Sequence, residues 1–184
     1  RTVDDNSHQA CLRNAFAEER RPFSRGPSLA ARREAQLSAV SEQIRLDGGA
    51  CDVVNLDITS SSSIASLESR LASVDILVNN AGIIMRKPAA EHPDEYWDKV
   101  VDINLNAQFI LGREFGKHMI DNGGGKIIFT CSLLSFQGGI NVPGYTATKS
   151  AVAGLVRAFG NEWGSKGVCV NGIAPGYIAT NNTQ

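Results

Sequence analysis

From Ala31 onward the apolar residues follow two alternating rhythms. Leu37, Val40 and Ile44 recur at helical spacing within Glu34–Leu46, and Asp47-Gly48-Gly49 stops that pattern. Val53, Val54 and Leu56 mark a short strand over residues 51–56. Thr59 and the serines after it predict a helix start, with Ile64, Leu67 and Leu71 on one face. Val74-Asp75-Ile76-Leu77-Val78 is a β-branched run of the kind buried on both faces of a parallel sheet. An amphipathic segment runs from Asp94 to about Asn122, where Gly123-Gly124-Gly125 caps it. Residues 126–130 form another buried strand, a helix follows from Tyr145 to about Ser165, and the strand Val168–Ile173 leads into Pro175-Gly176. Strands alternating with helices predict an α/β fold, a doubly wound parallel sheet with helices on both faces.

Residues 1–30 break this regularity. They are polar and rich in arginine (Arg13, Arg20, Arg21, Arg25), with no apolar run of strand type. The expected organisation is an unassigned, atypical segment over 1–30 and one α/β domain over 31–184.

Composition narrows the class. At 184 residues, 42% apolar and 20% charged, the chain suits one soluble globular domain. Eighteen basic against nineteen acidic residues leave no field that would draw nucleic acid or an anionic membrane, so neither is expected as a partner. No apolar run is long enough to cross a bilayer, and residues 1–30 lack the apolar stretch of a secretory signal. Cys11, Cys51, Cys131 and Cys169 lack paired spacing, and His8, His92 and His118 are isolated. Together they predict no metal site, no disulfide framework and a reducing, cytoplasmic setting.

The sharpest chemical feature is Tyr145-Thr146-Ala147-Thr148-Lys149, with Ser132 thirteen residues upstream. Four residues make about one helical turn, so Tyr145 and Lys149 share a face. A phenol with a pKa near 10 is too weak a base at neutral pH, and a nearby ammonium would favour its phenolate. Ser132 lies past the strand over 126–130, at the carboxyl end where such sheets bind ligands, and its hydroxyl could donate to an oxygen gaining charge. Against this stands the bland reading of a helix N-terminus with surface Tyr and Lys. Asn104 sits inside a predicted helix, where an amide is mildly unfavourable; it is either functional or simply an exposed helical asparagine.

The set Asn79-Asn80-Ala81-Gly82, Asn104, Ser132, Tyr145, Lys149 and Pro175-Gly176-Tyr177-Ile178-Ala179-Thr180 resembles, in order and spacing, the short-chain dehydrogenase/reductase family. The resemblance runs from about residue 31 to 184 and implies a Rossmann-like fold. It implies an oxidoreductase acting on CH–OH groups with NAD(H) or NADP(H). Tyr145 would be its general acid/base. Lys149 would bind the nicotinamide ribose and depress the tyrosine pKa. Ser132 would orient the substrate carbonyl, and Asn104 would hold a water in a proton relay. Cofactor contacts are further implied for Asp57, facing the adenine, for Asn80, Ala81 and Gly82, for Tyr145 and Lys149, and for Pro175, Gly176, Ile178 and Thr180.

Within the family, Ser135-Phe136-Gln137-Gly138-Gly139 and the terminal residues 179–184 are similar to dehydrogenases of small sugar acids, as is Arg86-Lys87-Pro88. A small-molecule sugar acid is the implied substrate, met by Ser132, Tyr145, Gln137 and Arg86. A basic pair at the end of a strand could meet a carboxylate. It could equally be a solvated pair of charges in a loop.

Three departures from the family pattern carry expectations of their own. The glycine-rich turn Thr-Gly-x-x-x-Gly-x-Gly, which seats a pyrophosphate on a helix N-terminus, is not found in residues 1–30, whose one glycine is Gly26. Ala31-Arg32-Arg33 resembles the end of the family's second strand, where arginines meet a 2′-phosphate and favour NADP(H), yet residues 22–30 do not read as a strand. The chain also stops at Gln184, ahead of the family's substrate-covering helices. These departures predict an incomplete or frame-shifted form of a longer reductase, with weak cofactor binding. They leave room for a 3-oxoacyl-carrier-protein type of reductase, or for a truncated non-catalytic remnant or interaction module. Finally, Trp97, Val101, Leu105, Phe109 and Phe115, and then Val152, Leu155, Val156, Phe159 and Trp163, fall on more than one helical stripe. Two-sided helices predict a homo-oligomer, a dimer or tetramer.

Overall fold

A computed structural model describes residues 26–67 and 74–178. The sequence readings for residues 1–25, for Leu71 and for residues 179–184, Thr180 included, lie outside the described residues. The chain forms two compact units, one ending at Ile64 and one beginning at Ala65.

The first unit carries β1 (Ser28–Ala31), α1 (Glu34–Leu46) and β2 (Asp52–Asn55), and a short helix α2 (Ser61–Ala65) spans its end. The two strands pair in parallel, Ser28 with Asp52 through Ala31 with Asn55. β1 corrects the reading of residues 22–30 as strandless. Ser-Leu-Ala-Ala has one large apolar side chain and weak strand propensity, but the hydrogen bonds and the Val53–Val54 surface of β2 supply what propensity lacks. α1 has the bounds that its periodicity predicts and buries Leu37.

The second unit holds β3 (Ile76–Asn79), α3 (Asp94–Val101), a π-helical turn (Asp102–Asn106), α4 (Ala107–Asp121), β4 (Gly125–Thr130), α5 (Pro143–Trp163) and β5 (Val168–Ile173). All its strands are parallel, with β4 between β3 and β5. A central parallel strand is buried on both faces, and Ile127 and Phe129 of β4 are fully buried. Among the described residues the architecture is α/β with parallel strands, in a two-stranded and a three-stranded sheet.

The long helix expected from Asp94 to Asn122 is interrupted. At residues 102–106 the ladder widens, and the Ala107 N–H reaches back five residues to the Asp102 carbonyl. Such a turn turns the residues after it relative to those before, and it is often found at functional positions. The glycine run after α4 does more than cap it. Gly124 has φ 120°, and a Cβ there would lie 2.5 Å from the Gly167 carbonyl oxygen.

α5 begins two residues before Tyr145, with Pro143 in its first turn, where a missing N–H costs nothing. Its Phe159 and Trp163 are 7% exposed and stack at 4.1 Å, facing Gly112 and Gly116 of α4. These two aromatics, read from sequence as part of a surplus stripe, are therefore spent inside the unit. Trp97 and Phe109 stay 44% and 38% exposed. Among the described residues no helix is long and apolar enough to cross a membrane.

Candidate active site

The carboxyl ends of β3, β4 and β5 bring most of the candidate residues together. Parallel strands end on one side of the sheet, so the loops after Asn79, Thr130 and Ile173 emerge side by side. The Cys131 N–H donates to the Ile173 carbonyl at 2.8 Å, and the Leu133 N–H to that of Pro175 at 3.3 Å. The Thr130 hydroxyl donates to the Asn80 side-chain oxygen at 2.8 Å.

Ser132 caps a tight turn over Leu133–Ser135. Its hydroxyl oxygen accepts from the Leu134 N–H at 3.2 Å, which leaves its own proton to donate. The turn is tied to α5 twice, by Ser135 Oγ donating to the Lys149 carbonyl at 2.7 Å and by Ser150 Oγ donating to the Leu134 carbonyl at 3.3 Å. Tyr145 faces Ser132. Burial pushes its phenol above the ordinary value; the interaction with the Ser132 hydroxyl and the positive charge of Arg86 pull the other way without overcoming it.

Lys149 is 3% exposed, and its Nζ donates to the Thr130 carbonyl at 2.5 Å. It lies 5.7 Å from the centre of the Tyr145 ring. Burial lowers its pKa to about 8, while the neighbouring Cys131 acts in the opposite sense. The expected depression of the tyrosine pKa by Lys149 is thus not the balance found: the ammonium is turned to Thr130, and desolvation of the phenol wins.

Asn104 is wholly buried, which excludes the bland reading of an exposed helical asparagine. Its Oδ1 accepts from the Ile83 N–H and its Nδ2 donates to the Ile83 carbonyl, both at 2.8 Å. Nδ2 also lies 3.4 Å from Thr148 Oγ1. Between Asn104 and Lys149 stands Gly82, where a Cβ would sit 3.4 Å from Asn104 Oδ1 and 3.7 Å from Lys149 Nζ. Glycine keeps that space open.

The remaining candidates differ in placement. Asp57 belongs to the first unit; its Oδ1 accepts from the Thr59 hydroxyl at 2.7 Å and N–H at 2.9 Å, which, with Arg32, holds its carboxyl below the ordinary value. Gln137 is exposed in the loop after the Ser132 turn, and Gly176 and Ile178 are exposed beyond β5. Arg86 is exposed, with its charge felt at Tyr145. Beside Asn104 and Lys149, the buried polar residues Gln108 and Thr148 were missed from sequence. The signal for Gln108 was available: a polar residue four after Asn104, on a stripe continued by Leu111 and Phe115.

Residues 23–184 match the short chain dehydrogenase family, and the chain belongs to it. Among its relatives, the 2-dehydro-3-deoxy-D-gluconate 5-dehydrogenase of Pseudoalteromonas atlantica is 63% identical over 121 residues, covering 66% of this chain and 48% of that protein. The enzyme of the same name from Bacillus subtilis is 48% identical over 151 residues, covering 80% and 59%. Among solved structures, a gluconate 5-dehydrogenase from Burkholderia cenocepacia in complex with NADP and tartrate superposes with a TM-score of 0.78 at 32% identity, covering 85% of this chain and 63% of that one. The chain spans about half the length of the curated relatives that it matches.

Proposed function

We propose that this chain carries the reaction site of an NAD(P)-dependent oxidoreductase that interconverts a hydroxyl and a ketone on a small sugar acid, of the 2-dehydro-3-deoxy-D-gluconate 5-dehydrogenase kind. What supports this is one observation. A half-buried phenol, Tyr145, faces a serine with a proton to donate, while Lys149 and Asn104 converge on the space that Gly82 leaves open. That opening suits a nicotinamide ribose in front of a buried ammonium. Lys149, Asn80, Ala81 and Gly82 would hold the dinucleotide, with Pro175, Gly176 and Ile178 in the loop after β5. When bound, the dinucleotide supplies the hydride.

The chain's own residues handle the proton and the oxygen. Ser132 donates to the substrate oxygen and fixes its position against the phenol. Tyr145 gives its proton to that oxygen in ketone reduction and takes it back in alcohol oxidation. A phenol is protonated at neutral pH, and burial raises Tyr145 further above its ordinary value, so reduction starts from the required state. The side-chain amide of Asn104 is engaged by Ile83 and Thr148, and Asn104 is the proposed holder of the relay water. Arg86, whose charge is felt at Tyr145, is the partner for the substrate carboxylate, with Gln137 lining the approach.

The same proposal takes residues 31–184 as the catalytic part, in a cytoplasmic homo-oligomer. Unpaired Cys51, Cys131 and Cys169 fit a reducing setting, and exposed Trp97 and Phe109 fit a second copy of the chain. The test is a fluorescence titration with NADPH and NADH, followed by NAD(P)H consumption with a keto sugar acid and with its amide. Turnover of the acid and little of the amide is expected; no response to either cofactor overturns the proposal.

A further inference from the structure

Residues 79–83, where β3 runs into its loop, are held from one side at every second position. The Asn79 Nδ2 donates to the backbone carbonyl of Gln108 at 3.4 Å. The Ala81 carbonyl accepts from Gln108 Nε2. Both backbone groups of Ile83 are taken by Asn104. The intervening residues reach the site: Asn80 meets the Thr130 hydroxyl, and Gly82 stands between Asn104 and Lys149. With residues 79, 81 and 83 tied to Asn104 and Gln108, the positions of the intervening Asn80 and Gly82 are set by the same two amides.

Gln108 is an unusual choice for its place. It is 2% exposed, and its Oε1 has no hydrogen-bond partner among the described residues. A buried amide with one end unsatisfied is costly where leucine or methionine would pack without that cost. Only an N–H can meet the Ala81 carbonyl, and this sets which way the amide points.

We infer that Gln108 is a positioning residue for residues 80–82, acting through its side-chain N–H on Ala81. The inference rests on the reading of that segment as a cofactor contact, and it goes beyond it by naming what sets the segment's geometry. Gln108 touches no reacting atom.

The test compares the full chain with Gln108→Met, which keeps the length and loses the amide, and Gln108→Glu, which keeps the shape and loses the donor when ionised. NADPH fluorescence is titrated at about pH 8 and about pH 5.5, values that bracket the raised pKa of a buried carboxyl. Gln108→Met is expected to weaken binding about tenfold at both values. Gln108→Glu should weaken it similarly at the higher pH and recover to within about threefold of the unaltered chain at the lower, because the protonated carboxyl donates again. Affinity within about twofold of the unaltered chain in Gln108→Met, or a loss in Gln108→Glu that ignores pH, overturns the inference. If the unaltered chain gives no NADPH response, the proposed function falls and the clamp is decided separately, as it is if neither variant folds. Slow solvent exchange of the Gln108 side-chain amide protons in isotope-labelled unaltered chain supports the clamp, and exchange at the rate of a free amide overturns it.

Discussion

The Ser135 hydroxyl donates to the backbone carbonyl of Lys149 at 2.7 Å, and the same oxygen accepts from the backbone N–H of Ser132 at 3.1 Å. One side chain thereby sets the spacing between the loop bearing Ser132 and the helix bearing Tyr145 and Lys149. The Lys149 carbonyl also has its helical partner, so removing the hydroxyl leaves α5 intact and frees the loop. Ser135→Ala should lower kcat by about tenfold or more, since misplacement of about 1 Å can cost up to about a hundredfold. KM for the cofactor should change little. Ser135→Thr keeps the hydroxyl and should recover most of the loss; steady-state kinetics on the three forms checks this.

Tyr145→Phe should lower turnover on the order of 10²–10⁴-fold while changing cofactor affinity little, because the ring stays in place and the phenol acts chiefly on the proton. Burial holds the phenol above its ordinary value, and this gives the pH dependence a direction. Alcohol oxidation needs the phenolate and should rise with pH across the alkaline range. Ketone reduction needs the phenol and should persist until the raised pKa is passed. Initial rates in both directions against pH check the pair, and near-normal turnover in Tyr145→Phe would remove Tyr145 from the reaction.

Spacing along the chain made Tyr145, Lys149 and Ser132 legible, because one helical turn and one strand end decide where they stand. α1 was legible for a similar reason: its apolar stripe and its Asp-Gly-Gly stop are local. β1 was not, since Ser-Leu-Ala-Ala becomes a strand only through a partner more than twenty residues away in sequence. The clamp by Asn104 and Gln108 was half legible. An amide inside a helix raised a question at Asn104, but its answer lies in Ile83, and the π-helical turn between the two amides has no local signature. Phe159 and Trp163 were misread because a stripe shows that a face is apolar and not what covers it. The two glycines that receive them lie forty-seven residues upstream in each case.

Lys149 contributes a pH-dependent stability with a defined sign. Its pKa falls from an ordinary 10.5 to about 8 in the folded chain, chiefly through burial. Between those values the unfolded chain binds more protons than the folded one, so stability rises with pH across that window. Below about pH 8 the folded chain carries the cost of a buried ammonium. The raised phenol of Tyr145 acts in the opposite sense, but only from about pH 10 upward. Thermal melting between about pH 7 and about pH 10 should therefore show a rise in the unaltered chain that Lys149→Met removes. An equal rise in both forms would assign it to another group.

Gly116 and Gly154 are both helical glycines, yet alanine should act on them in opposite directions. In a helix interior, replacing glycine by alanine usually stabilises by about 1 kcal/mol through the backbone entropy of the unfolded chain. Gly154 of α5 has nothing nearer to a new Cβ than an arginine tip at 4.0 Å, so the ordinary gain should be realised there. At Gly116 of α4 a Cβ would stand 2.4 Å from Trp163 Cζ3 and 2.7 Å from Cη2. The indole cannot retreat, because it is stacked on Phe159 at 4.1 Å with the rings 14° apart. Phe159 in turn packs near Gly112, where a Cβ would come within 3.0 Å of its ring. Overpacking of this kind costs about 1–3 kcal/mol, or more where a ring is held on both sides, and it exceeds the helical gain. Gly116→Ala should therefore lower the melting temperature, while Gly154→Ala raises it slightly. Pairing Gly116→Ala with Trp163→Leu should restore part of the loss, since the smaller side chain vacates the overlap and the two positions couple. Calorimetric melting of the single and double variants measures that coupling, and a stabilising Gly116→Ala would contradict the packing of α4 on α5.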